Sequence, residues 1–241
     1  AGGDVVPGKA PTMADVAARA GVSRALVSTV FRGVPGASPA TRQRVLDALD
    51  MTAIALGLTR DDLPRHTVQS GVINTNTPLQ LDVPMAQGLI TLAEHRQVAI
   101  ITPFTLAGAM APITLAGSLA LQHAEAMFGI TLTQIVRPGA PVMYGGFTSN
   151  VDMKTGAPAF GTPEYAKAAQ ASGQLARRIG VPFRSSNTTA ANAIDAQAAY
   201  ESMMSLWGCL MGGAHLVIHG AGWMHGGLTA SFEKLILDAE L

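Results

Sequence analysis

VAIITPF at 98–104, followed by LAGSLALQHAEAMFG at 115–129, is the phrase on which the fold turns. From Gln97 to Ala124 no residue carries a formal charge, so the stretch first raises the question of a membrane span. Pro103, Gly108, Pro112 and Gly117 cut it into short pieces, and it opens on β-branched residues. A buried strand, a turn and an Ala-rich helix fit it better than one long helix. Working outward, the same phrase recurs. Strands are expected near GVINTN (71–76), PVMYGGF (141–147), PFRSSN (182–187) and HLVIHGAGW (215–223). Helices are expected over 84–96, 115–129, 163–180, 195–213 and 231–241.

Five successive strand and helix units with apolar strands predict a parallel sheet, and their even alternation favours an α/β fold of the TIM type, a partial (β/α) barrel of about five units. No glycine-rich dinucleotide fingerprint argues for a doubly wound sheet. Five units cannot close an eight-stranded barrel. The arc leaves two strand edges and an apolar inner face to be covered, and an incomplete barrel can be inactive. The chain is 48% hydrophobic and 13% charged, against about 25% charged in an ordinary globular chain, which excludes a disordered class and predicts a large core. The single cysteine, Cys209, excludes an intramolecular disulfide; with no basic-then-apolar leader in view, the cytoplasm is the expected compartment and no membrane partner is expected. The chain begins at Ala1 and stops at Leu241 inside a helical phrase, so both ends read as cut.

Charge is balanced at 16 against 16, but residues 1–49 hold six Lys/Arg and three Asp/Glu. Thr12 and Asp15 are spaced as a capping box, with Met13, Val16, Ala17 and Ala20 on one helical face until Gly21. Ser23 is a natural cap for a second helix, in which Val27, Val30 and Phe31 point inward while Arg24, Ser28 and Arg32 repeat outward. A third helix starts at Ser38 and Pro39, with Val45, Ala48 and Leu49 inward. Any small three-helix bundle can expose two arginines, so the pattern alone leaves the role open. The order DVA, AGVS, VS, TR, RV across residues 11–49, however, resembles the N-terminal helix-turn-helix of the LacI family of transcriptional regulators. The resemblance implies a small all-α DNA-binding domain over residues 1–49, with Arg24, Ala25 and Thr29 reading bases and Thr12, Ser23, Ser28 and Arg32 holding the backbone. Leu26, Thr29 and Arg32 depart from the usual Thr, Arg and Asn, and DMTAIALGLTRDDLP stands where the family has its hinge helix, so neither operator nor mode of pairing follows.

In a barrel, function gathers where strands run into the following loops. Those ends are polar here, at Asn74, Asn76, Thr102, Thr148, Ser185, Asn187 and His225 among others. VINTNTPLQLDVPMAQGLI, YGGFTSNVDMKTGAPAFGTPE and SSNTTAANAIDAQAAYES resemble the trimethylamine methyltransferase family, and the likeness extends over residues 50–241. Family members are roughly twice this length. The resemblance implies methyl transfer from a methylated or quaternary amine, of the trimethylamine or glycine betaine type, to a corrinoid carried by a separate corrinoid protein. No cofactor is expected on this chain itself: the Asp-x-His motif of His-on cobalamin proteins is absent at all six histidines. No position matches the pyrrolysine of the archaeal enzymes with enough precision to assign a catalytic residue. A quaternary ammonium donates no hydrogen bond and is held by aromatic faces, which points to Phe104, Tyr144, Phe147 and Trp223. A betaine carboxylate would need Arg184, Asn150 or His219. Positioning the methyl group is then the main catalytic task.

Other patterns read as structural. Tyr200, Met203, Met204 and Trp207, at helical spacing, are expected in the core, and His215 and His219 on one strand face rather than around a metal. Three readings follow: a corrinoid-dependent methyltransferase with an appended DNA-binding head, expected as a homo-oligomer; a DNA-binding regulator whose barrel remnant senses an amine; and a junction of two unrelated reading frames near Asp50.

Overall fold

The computed structural model describes residues 39–241. The calls on Thr12, Ser23, Arg24, Ala25, Ser28, Thr29 and Arg32, and with them the first two helices of the helix-turn-helix, lie outside the described residues. The expected third helix is α1, Pro39–Ala55, and it runs through Asp50 without a break. Leu49 and Ala53 bury against Leu63, which lies in the 3-10 turn Arg60–Arg65. Arg60 closes on both oxygens of Asp50 at 2.5 and 2.6 Å; this exposed pair adds under about 1 kcal/mol. The firmer link to the rest is Gln97, fully buried, whose amide donates to the carbonyls of Leu63, His66 and His95 and accepts from the amides of Val68 and Gln69.

From Ser70 the strand and helix units begin. They are β1 (Ser70–Thr75) and α2 (Val83–Glu94), β2 (Val98–Ala107) and α3 (Leu115–Val136), and β3 (Val142–Gly145) with β4 (Phe147–Val151), then β5 (Pro158–Ala159) and α4 (Pro163–Arg178). They continue with β6 (Phe183–Ser186) and α5 (Ala196–Gly212), then β7 (Leu216–Ile218) and α6 (Phe232–Ala239). Each of these five helices starts on a side-chain cap, supplied in turn by Asp82, Thr114, Thr162, Asp195 and Ser231.

The sheet is mostly parallel. β1, β2, β3, β6 and β7 lie side by side in chain order, and β4 prolongs β3 by pairing with the second half of β2. β5 turns back antiparallel on β4. Sequential parallel neighbours joined through helices make an arc consistent with part of a βα barrel. Among the described residues, β1 and β7 each have a neighbour on one side only. The core fills the layer between sheet and helices, with Ile73, Leu89, Ala99, Ile101, Ala126, Ile130, Tyr144, Ala176 and Phe183 in one cluster. α4 and α5 touch backbone to backbone: a Cβ on Gly173 would fall 1.9 Å from the carbonyl oxygen of Gly212.

Three expectations are corrected. PVMYGGF is two strands, because the backbone breaks at Gly146. HLVIHGAGW holds only the three-residue β7; Trp223 belongs to a separate antiparallel hairpin, β8 (Trp223–Met224) with β9 (Thr229–Ala230), so His215 and His219 flank β7 and share no strand face. Tyr200, Met203 and Trp207 are exposed on α5, because the opposite side of that helix, at Ala198, Ser202, Ser205 and Cys209, is the one that packs inward.

Candidate functional site

Strand alternation on β6 sends neighbouring side chains to opposite faces. Phe183 joins the helix-side core, and Arg184 turns to the inner face of the arc, its guanidinium carbon 5.5 Å from the centre of the Phe147 ring. Arg184 is 2% exposed, and its Nε and Nη1 are buried with no hydrogen-bond partner. Neither ion pair among the described residues, Arg60 with Asp50 or Lys234 with Asp238, involves it. Burial pulls its pKa down to about 10, which leaves it charged at neutral pH. A buried cation without hydrogen-bond partners costs several kcal/mol.

Around it the inner face is aromatic. Phe104 and Phe147 stand opposite each other in register on β2 and β4, their rings 5.2 Å apart, and Phe160 stacks on Phe147 at 5.0 Å. His219 lies 6.0 Å from Phe147 and meets Trp223 edge-on at 4.9 Å. Its backbone sits in the left-handed region at φ 57°, a conformation unusual outside glycine. Its Nδ1 shares a hydrogen bond with Ser186 Oγ at 3.2 Å. Burial, and then the charge of Arg184, depress its pKa to about 4, so the imidazole is neutral at physiological pH. Phe104, Phe147, Arg184, His219 and Trp223 are therefore brought together.

Tyr144 and Asn150 are not. Each is three residues from Phe147, an odd step that reverses the face. Tyr144 is fully buried under the helices, bonded through its hydroxyl to Gln122 (3.1 Å) and His123 (3.3 Å), and burial pushes its pKa up to about 12. Asn150 accepts from Thr162 Oγ1 at 2.7 Å, beside the start of α4. Sequence reasoning missed Phe160. It follows the short β5 in an irregular phrase, and no periodicity marks it; the β4–β5 turn brings it under Phe147.

Two buried carboxylates frame the aromatic wall without entering it. Glu201 on α5 accepts the amides of Ala190 and Ala191 at 2.8 and 2.9 Å, and the loop it fixes holds the Trp223 segment, since Thr189 Oγ1 donates to the Trp223 carbonyl at 2.9 Å. Asp238 on α6 accepts from Ser202 Oγ and from the Gly222 amide, both at 2.7 Å, and pairs with the fully buried Lys234. Adjacent residues of α5 thus hold the chain on both sides of Trp223. Behind β6, Cys209, itself buried, donates its thiol to the Ser186 carbonyl at 3.3 Å.

Among the described residues no cluster of His, Cys, Asp and Glu could hold a metal ion, and no helix is long and apolar enough to cross a membrane. Residues 12–53 match the profile described as bacterial regulatory proteins, lacI family, and residues 33–241 match that of trimethylamine methyltransferase (MTTB). The two matches overlap along α1. Glycine betaine methyltransferase of Desulfitobacterium hafniense (strain Y51) is 40% identical over 201 residues, 83% of this chain and 42% of that protein. Trimethylamine methyltransferase MttB of Methanosarcina barkeri (strain Fusaro / DSM 804) is 30% identical, over 80% of this chain and 39% of that protein. Proline betaine:corrinoid methyltransferase of Eubacterium limosum is 33% identical, over 70% and 36%. The chain therefore spans about two fifths of the length of these relatives. With the profile covering most of its length, the chain belongs to the trimethylamine methyltransferase family.

Proposed function

We propose that residues 50–241 form part of a TIM-type barrel that binds a betaine, a quaternary amine bearing a carboxylate, and presents one of its methyl groups to a corrinoid carried by a separate cytoplasmic protein. The observation that carries this reading is the buried, unpartnered guanidinium of Arg184 within an aromatic wall. A bare ammonium about 5 Å from that charge meets a repulsion of roughly 3 kcal/mol at an effective dielectric of about 20. A zwitterion entering with its carboxylate toward Arg184 escapes it. The guanidinium takes the carboxylate, and the methylated nitrogen is pushed toward Phe104, Phe147 and Trp223, whose ring faces attract it. His219, neutral, adds no second positive charge.

The corrinoid is a co-substrate here and supplies a nucleophilic cobalt. The methyl group leaves as a cation equivalent, the electron pair of the broken C–N bond stays on the amine nitrogen, and no proton moves. The chain's own part is to hold the zwitterion end-on and to exclude water with the aromatic wall. Calorimetric titration of the purified chain with glycine betaine and with trimethylamine, alongside methyl transfer to reduced cobalamin, tests it. Betaine binding that is lost in Arg184→Met, with weaker trimethylamine binding that is retained, supports the reading. Equal affinity for both ligands in the wild type sinks it.

The match of residues 12–53 favours a second reading, in which residues 1–49 are a DNA-reading head and the barrel segment senses the amine. Fluorescence anisotropy with a palindromic duplex would then give an affinity that falls with salt and changes with betaine. Absence of salt-sensitive binding excludes it.

A further inference from the structure

Ser186 ends β6 two residues after Arg184, so both side chains stand on the inner face of the arc. It is fully buried, and Tyr165 on α4 pins its backbone by donating a hydroxyl to the Ser186 carbonyl at 2.8 Å. His219 is pinned as well. The backbone and side-chain amides of Asn187 donate to the carbonyls of Ile218 and Gly220, at 3.1 and 3.0 Å, on either side of that left-handed residue. Among the described residues, Ser186 Oγ and His219 Nδ1 are each other's one hydrogen-bond partner, at 3.2 Å, and His219 Nε2 has none. The ring is neutral at physiological pH, so it carries a single proton. The bond can run in two directions. If the ring donated, the Ser186 hydroxyl proton would stay in the interior with no acceptor, an arrangement that folded proteins seldom keep. If the hydroxyl donates, its proton and the ring's lone pair are satisfied together.

We propose that Ser186 is a positioning residue: its hydroxyl donates to His219 Nδ1 and so leaves the ring's proton on Nε2, as a second donor beside Arg184 for the carboxylate of a betaine. The ligand in this statement rests on the betaine reading above. The guanidinium and the His219 ring lie 5.5 and 6.0 Å from the centre of the same Phe147 ring. A carboxylate has two oxygens, and here one meets a charged donor and the other a neutral one. The opposite tautomer would turn a lone pair toward the ligand and repel it. The same ring therefore favours or opposes a carboxylate according to the direction of one hydrogen bond. The proton stays on the ring throughout.

Heteronuclear NMR of the isotope-labelled histidine rings in the whole chain tests it, with His219→Gln identifying the His219 signals among those of six histidines. At neutral pH the wild type should show Nε2 protonated and Nδ1 bare, and glycine betaine should shift the Nε2–H signal. Ser186→Ala, which removes one oxygen, should release the ring into a mixture of tautomers. In calorimetric titration it should weaken glycine betaine about tenfold, the loss of one hydrogen bond to a charged group. Trimethylamine, which has no carboxylate, should bind that variant as it binds the wild type. A wild-type ring protonated at Nδ1 overturns the proposal by itself. So does an Nε2–H ring that persists in Ser186→Ala, and so does an equal loss of both ligands, the mark of a purely structural role. Failure of the betaine reading looks different: the tautomer is set by Ser186, yet the wild type takes up no glycine betaine, which strikes out the ligand and keeps the positioning of His219.

Discussion

Gln122 and Arg184 are both buried polar side chains, one on each face of the same sheet, and the fold treats them in opposite ways. Gln122 donates to Tyr144 Oη (3.1 Å) and Ser172 Oγ (2.9 Å) and accepts from Thr148 Oγ1 (2.6 Å), so β3, α4 and β4 each contribute a partner. Arg184 has two nitrogens with none. A complete polar network specifies how helices sit on a sheet. An incomplete one on β6, against aromatic rings, is where the proposed betaine carboxylate would supply the missing partner.

The strongest way to break that contrast is to turn a satisfied group into an unsatisfied one. Lys234→Met leaves Asp238 buried with its ion-pair partner gone, and should cost about 3–5 kcal/mol in urea unfolding; a cost under 1 kcal/mol would mean that buried pairing matters little in this fold. Gln122→Leu should come next. It strips partners from Tyr144, Ser172 and Thr148 together, at roughly 3 kcal/mol, again read from the unfolding midpoint. Arg184→Met should have the opposite sign, gaining about 1–3 kcal/mol in the ligand-free protein because an unpartnered cation is removed, and it should abolish the stabilisation that glycine betaine gives the wild type. Destabilisation by Arg184→Met would reveal a partner for the guanidinium and end the comparison.

The most gradual effect sharpens it through pH. His219 has its folded pKa depressed to about 4, by burial first and the nearby Arg184 charge second. The unfolded chain binds the proton more readily between that value and the ordinary 6.5. Stability from the neutral imidazole is thus present above about pH 6.5 and is lost as pH falls toward 4, by at most about 1.4 kcal/mol per unit. His219→Gln should flatten the stability curve across that window. The same slope in both proteins would assign the acid sensitivity elsewhere.

The architecture was legible where a pattern was long. The apolar run from Val98 and the Ala-rich helix after it gave the unit, and its recurrence gave the arc. The candidate site was legible in part, because Phe104, Arg184, His219 and Trp223 all lie in the apolar phrases read as strands. What failed was parity and outer packing. Tyr144, Phe147 and Asn150 looked like one group, yet odd spacing sends the first and last to the helix side, where Gln122 and Thr162 wait for them. The YGGF phrase needs its glycine because a Cβ on Gly145 would fall 2.2 Å from Thr102 Oγ1, a contact between strands that no local pattern encodes. Trp207 read as core because amphipathicity identifies the apolar side of a helix and not what lies against it; on α5 the inward side is small and partly polar, at Ala198, Glu201, Ser202, Ser205 and Cys209, while the large apolar residues face out.

Cys209 gives the molecule a clock. It is the single cysteine of the chain, fully buried, with its thiol held behind the strand that carries Arg184, and burial raises its pKa, so it is doubly protected from thiol reagents. Reaction with a disulfide reagent requires α5 to lift from β6. The labelling rate therefore counts how often α5 lifts from the back of β6, one event per modified molecule. A bound ligand that slows the clock grips the fold through Arg184's strand, while one that leaves it running touches the surface alone.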